Sequence, residues 1–329
     1  MNRSTHRSWF WLCLTLLTLA LYGGLATGTV SFSPVQLLQL LLDPQTDPLQ
    51  GAVLWQIRLP RVLLASLVGS SLAVSGAVFQ AVLRNPLADP YLLGVSGGAA
   101  LGAVTAICLG MTTALWLPLS GFLGALFALW LVYLVARAHQ ASTHTLILAG
   151  VMVGSLATAV LLFLLWRIPA DPLRSAVFWL AGNLSGASPA WLPWGSLVSL
   201  IASLLVWSRF RLLDVLTQGE DVAADLGVDV GRARQLLFVA AGFLVATAVS
   251  LAGLVGFVGL VVPHVVRLLW GPSHVRLIPA AALCGAAFLV VSDAVARSVF
   301  SPAEIPVGVV TALIGAPFFL YLLRNRGGL

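Results

Sequence analysis

Long apolar runs separated by short polar breaks repeat along nearly the whole chain. They cover residues 9–28, 62–83, 92–109, 115–136, 145–166, 191–207, 277–296 and 306–323. Each is close to the roughly 20 residues an α-helix needs to cross a hydrocarbon core. A ninth run, Leu236 to Val266, has 31 residues and one ionisable group, His264. It is too long for one helix at ordinary tilt and too short for two full spans with a loop. Its middle, "AGLVGFVGLVVP", places Gly253, Gly256 and Gly259 at intervals of three before Pro263. A full helix, a glycine break and a short second helix fit that pattern, as in the discontinuous helices of transporters.

Composition sets the class. Sixty per cent of the 329 residues are hydrophobic and 9% are charged, against about 25% charged in a soluble domain. Mean hydropathy is +1.01. The chain is therefore a polytopic, all-α membrane protein, read as one transmembrane domain over residues 1–329. Its net charge of +6 comes from arginine alone, since there is no lysine. The arginines are scattered over short loops, a distribution that sets topology rather than binding nucleic acid. Splitting the ninth run gives ten spans with both termini cytoplasmic, and puts twelve of the seventeen arginines inside. A single crossing there would divide them nine to eight, so the positive-inside rule selects ten.

Two further patterns concern a transporter habit and helix packing. "SLAVSGAVFQAVLRNP" and "AVSLAGLVGFVGLVVP" each set a glycine ten residues before a proline, and five spans separate them. The second copy would be inverted, as in inverted-repeat transporters. Gly94, Gly98 and Gly102, and likewise Gly69, Ala73 and Ala77, form small-xxx-small steps that let helices approach closely in lipid. The N-terminal segment, basic and then apolar from Trp9 to Ala26, is longer than a signal-peptide core and reads as an uncleaved first helix.

Candidate chemistry is sparse. Cys13, Cys108 and Cys284 lie singly in apolar segments, without metal-ligand spacing. The "GVSG" of residues 94–97 resembles an intramembrane serine-protease motif, with Ser96 as nucleophile and His264 as base, but the helix carrying His264 lacks that family's spacing. His264 reads instead as a helix-end residue near the headgroups. Asp293 lies four residues before Arg297, where an i,i+4 ion pair at a helix end accounts for it. No mid-membrane ion relay is visible, which disfavours a stand-alone secondary carrier or channel. A Walker A loop needs a lysine and there is none, so the chain is expected to hold no cofactor and any ATP and Mg²⁺ to reside on a partner subunit.

Residues 208–234 form the longest cytoplasmic segment and hold five of the eleven acidic residues. Glu220, Asp221, Val222, Ala223 and Leu226 are expected on a short helix ended by Gly227, with Val222, Ala223 and Leu226 facing a partner. On the outer side Arg58 and Arg61 open the second span and Arg297 closes the ninth. They are expected to be exposed cations that either snorkel or receive carboxylates of an external partner.

"RLPRVLLASLVGSSLAVSGAVFQAVLRNPLADPYLLGVSGGAALGA", "LGVDVGRAR", "GLVGFVGLVVPHVVRLL" and "EIPVGVVTALIGAPFFLYLL" closely resemble the FecCD/BtuC-type permease subunits of iron–siderophore, haem and cobalamin ABC importers. The resemblance runs in order from about Arg58 to Leu323. It implies ten-helix permeases of the type II importer class, paired as a homodimer in the inner membrane. Two cytoplasmic ATPases and an external binding protein would complete the assembly, and a metal chelate would pass by alternating access. It further implies that Arg58, Arg61 and Arg297 dock the binding protein and that "GEDVAADLGVDV" seats in the ATPase. Asn85 and Leu87 match one cytoplasmic gate, and Thr143 and His144 a second. His144 stands where the family often has Ser or Thr, a departure from the cobalamin-type pattern. Ferric chelates, the commonest cargo of the family, are the first expectation for substrate.

Overall fold

The computed structural model describes residues 5–28, 30–113, 115–137, 143–186, 189–301 and 303–325. Fifteen α-helices are joined by short turns, and there is no strand among the described residues. Among the described residues, seven spans are long and apolar enough to cross a membrane: α1 (Thr5–Ala26), α4 (Leu59–Val82, continuous with α3, Pro48–Ala52), α6 (Trp116–Arg137), α7 (Thr143–Arg167), α9 (Leu192–Ser208), α12 (Val230–Ala252) and α14 (His274–Ser298). Three shorter apolar helices, α5 (Val95–Cys108), α13 (Val258–Trp270) and α15 (Val307–Asn325), bring the count to the expected ten. The remaining helices, α2 (Pro34–Leu42), α8 (Ala170–Leu180), α10 (Phe210–Leu216) and α11 (Glu220–Asp225), lie in the connections.

The ninth apolar run divides as its glycines predict. Gly253 ends α12 with φ +68°, a left-handed conformation that costs glycine little. A Cβ there would stand 2.1 Å from the Trp179 carbonyl oxygen. Four residues further on, Phe257 also has positive φ, and α13 starts at Val258.

Helices α4 and α12 form the centre, packed against each other and surrounded by α5, α6, α9, α13 and α14. The interior is rich in small side chains, with Ala65, Ala73, Ala77, Ala241 and Ala248 buried, while Leu, Phe and Trp of α6, α7 and α9 point outward. In lipid, burying apolar area provides no drive between helices, so close van der Waals contact holds them. The two echo segments meet each other: a Cβ on Gly76 of α4 would lie 1.8 Å from the Gly259 carbonyl oxygen of α13. Gly98 and Gly102 do the same for α5 against α6. Pro263 inside α13 cannot donate to the Gly259 carbonyl, and Gln80 Nε2 of α4 does so instead at 3.4 Å.

Candidate functional site

Polar chemistry collects at the two ends of α4. At its start, a π-helical turn (Val53–Arg58) precedes the regular helix, and π-turns of this kind often mark functional positions. Arg58 extends along the Phe32 ring and donates to the carbonyls of Leu25 and Val30. Arg61 donates through Nε to both oxygens of Asp293 (3.0 and 3.2 Å), and its terminal nitrogens reach Asp293 and Glu304 (3.0 and 2.8 Å). Arg297 donates to Asp293 at 3.0 Å and to the carbonyls of Thr27 and Gly24.

The three cations are thus gathered as expected, but they are not exposed. Arg58, Arg61 and Arg297 are 4%, 8% and 6% accessible, and Asp293 is fully buried. The Asp293–Arg297 pair forms as its spacing predicts, yet Asp293 also bridges to Arg61, 232 residues away in sequence. Exposure was the natural expectation for arginines at span ends. The fold overrides it by supplying two carboxylates and four carbonyls, which meet the cost of burying the charges. Glu304, 41% exposed, is the open member of the cluster. With Arg61, Gln56 and Ser185 it borders a cleft of about 240 Å³.

The other end of α4 lies 23 residues on, about 35 Å at 1.5 Å per residue, across the hydrocarbon core. There the chain turns through an elbow. Arg84 has positive φ, Asn85 accepts from the Leu87 N–H in a local turn (2.8 Å), and Asp89 caps a single 3₁₀ turn (Pro90–Leu93) by accepting from Tyr91 N–H (2.7 Å). Burial pushes the Asp89 carboxyl above the usual carboxylate range. Asn85 and Leu87 are exposed. The Tyr91 hydroxyl donates to the Val255 carbonyl and accepts from the Val255 N–H, fastening the elbow to the glycine break. Thr143 and His144 open α7, and their side chains lie outside the described residues. The 3₁₀ turn of the elbow packs on α7 near Gly150.

Helix α11 forms where expected. Glu220 and Asp221 occupy its first turn, and Gly227, at φ +79°, stops it. Val222 and Leu226 are exposed, 44% and 66%. Ala223 differs from the expectation that all three face a partner: it is completely buried, and its carbonyl accepts from Val228 N–H. The sequence gives no sign of the contacts made by Glu220, which pairs with Arg84 of the elbow at 3.5 Å and with the buried Arg234 of α12 at 2.5 Å. Nor does it signal the bond from Arg267 to Gln80 (3.0 Å). These partners are remote in sequence.

Ser96 is no nucleophile paired to His264. It opens α5, which packs on α6 and α7, whereas His264 lies on α13, which packs on α4, α14 and α15 and sets its ring edge-on to Phe319 (5.9 Å). Among the described residues no group of three His, Cys, Asp or Glu side chains could hold a metal.

Comparison with known proteins identifies the family. The sequence profile described as the FecCD transport family matches residues 14–325. The cobalamin import system permease protein BtuC of Halobacterium salinarum is 48% identical over 82% of this chain and 73% of its own. The vitamin B12 import system permease protein BtuC of Escherichia coli O157:H7 is 40% identical over 96% of this chain and 95% of its own. A structure described as an inward-facing conformation of a metal-chelate type ABC transporter superposes with a TM-score of 0.87. It is 36% identical and covers 96% of this chain and 98% of that one. Ten apolar helices, an arginine cluster at one end of α4 and an elbow tied to α11 at the other are carried by a chain that belongs to the FecCD transport family, as a multi-pass membrane permease of the ABC-importer type.

Proposed function

We propose that this chain is the translocating subunit of an ATP-driven importer for a metal chelate, with cobalamin the first substrate to test. The permeases of Halobacterium salinarum and Escherichia coli named above import cobalamin, and the solved relative is of metal-chelate type. This moves the substrate reading away from ferric chelates. Two copies would enclose the path, with α7 and α15, whose Leu156, Phe163, Leu313 and Leu320 point outward, facing lipid or the second copy. Both termini, the elbow and α11 lie in the cytoplasm, the orientation favoured by the arginine count.

The observation that carries this reading is the link from α11 to the elbow. Val222 and Leu226 offer an apolar pair to an ATPase subunit, while Glu220 on the same short helix holds Arg84, next to Asn85 and Leu87. Movement of α11 on ATP binding therefore bears directly on the cytoplasmic gate, and alternating access follows. At the outer end a carboxylate of the binding protein reaches Arg61 through the cleft beside Glu304. Asn85, Leu87, Thr143 and His144 form the gate, and Arg58 and Arg297 shape the docking cluster.

Leu226→Asp tests the coupling. Leu226 is exposed, so the variant folds, and the ATPase subunits no longer co-purify with it. Intact co-purification and unchanged uptake would reduce α11 to a connecting loop.

A further inference from the structure

A groove of about 800 Å³ opens between α1, α9 and α14, at the end of the bundle that carries α10 and α11. Its walls are Trp9 and Phe10 of α1, Leu204 and Trp207 of α9, and Pro279 of α14, with Arg276 at its margin. Pro279 accounts for the placement of one wall. Lacking an N–H, it leaves the Val275 carbonyl without its intrahelical donor, and the Trp207 indole N–H donates to that oxygen at 3.1 Å. The indole is thereby fixed as one wall.

The groove is apolar along its length and cationic at one margin. Arg276 has no ion-pair or hydrogen-bond partner for its guanidinium among the described residues. Asp214, the carboxylate on α10 at this end, is taken up by Ser273 Oγ (3.4 Å) and by the backbone N–H and ring Nδ1 of His274 (2.8 and 2.6 Å). Arg209 and Arg211 are exposed just beyond Trp207. Aromatic side chains settle at the depth of the headgroups, and basic pockets between helix ends bind anionic lipid headgroups.

We propose that this groove binds one anionic glycerophospholipid, its phosphate on Arg276 and an acyl chain lying along Trp9, Phe10, Leu204 and Trp207. Charge complementarity and an apolar trough at membrane depth specify this occupant, independently of what the permease carries.

The test uses the purified chain equilibrated in mixed micelles with phosphatidylglycerol or phosphatidylcholine of matched chain length, read by native mass spectrometry. Wild type retains one phosphatidylglycerol about fivefold more than phosphatidylcholine, the preference expected of one arginine near the surface. Arg276→Gln removes the preference. Leu204→Trp, which fills the trough and keeps the charge, loses both lipids. Glycerol phosphate without acyl chains does not compete; competition would mean a free-phosphate site and overturn the proposal. Equal retention of the two lipids by wild type, or unchanged retention by both variants, would also overturn it.

Discussion

Replacing Asp293 with Asn removes one charge from the most enclosed polar site in the molecule. Asp293 is fully buried and accepts from Arg61 and Arg297 at 3.0–3.2 Å. The amide keeps the shape but leaves three arginines, each less than a tenth exposed, with only the half-open Glu304. Removing one partner of a buried ion pair costs about 3–5 kcal/mol, most of it the penalty of an uncompensated buried charge. Denaturant unfolding in detergent, followed by tryptophan fluorescence, should show a loss in that range. The double variant Asp293→Asn/Arg297→Gln removes one of the stranded cations, so its loss should be smaller than the sum of the two single losses by about 0.5–3 kcal/mol. A loss below about 0.5 kcal/mol for Asp293→Asn, the level of an ordinary surface change, would refute the claim that this carboxylate holds this end of the bundle together.

Other substitutions probe separate parts of the architecture. Gly76→Ala puts a methyl 1.8 Å from the Gly259 oxygen and should cost at least about 1–3 kcal/mol as overpacking. Gly256→Ala, with nothing within 4 Å, should be close to neutral in the same unfolding assay. Glu304→Gln frees a donor of Arg61 toward the cleft, so binding-protein association, measured by surface plasmon resonance, should tighten; weaker association would make Glu304 itself a contact. Glu220→Gln weakens the tie between α11 and the elbow. It should lower uptake per ATP hydrolysed while the ATPase subunits still co-purify, and unchanged coupling would dismiss the tie.

Much of this layout is legible in the sequence because bilayer thickness fixes helix length. The ten spans, the division of the ninth run at Gly253, and the stop of α11 at Gly227 all follow from local rules of length and backbone freedom. The Asp293–Arg297 pair is legible for the same reason, being one helical turn apart. What the sequence does not reveal is long-range pairing. Nothing local marks Arg61 as a partner of Asp293, or Glu220 as the link between Arg84 and Arg234. Span-end arginines therefore read as exposed until the fold brings carboxylates and free carbonyls to them. Ala223 is misplaced for a related reason: six helical residues give too little periodicity to tell which face turns inward.

The most direct test of the transport claim is uptake by sealed vesicles containing this chain with its ATPase subunits and binding protein, offered cobalamin, haem or a ferric siderophore in turn. An ATP-driven importer accumulates one of them only when the ATPases and internal ATP are present, and vesicles with this chain alone accumulate none. Uptake by the chain alone, without ATP, would contradict it.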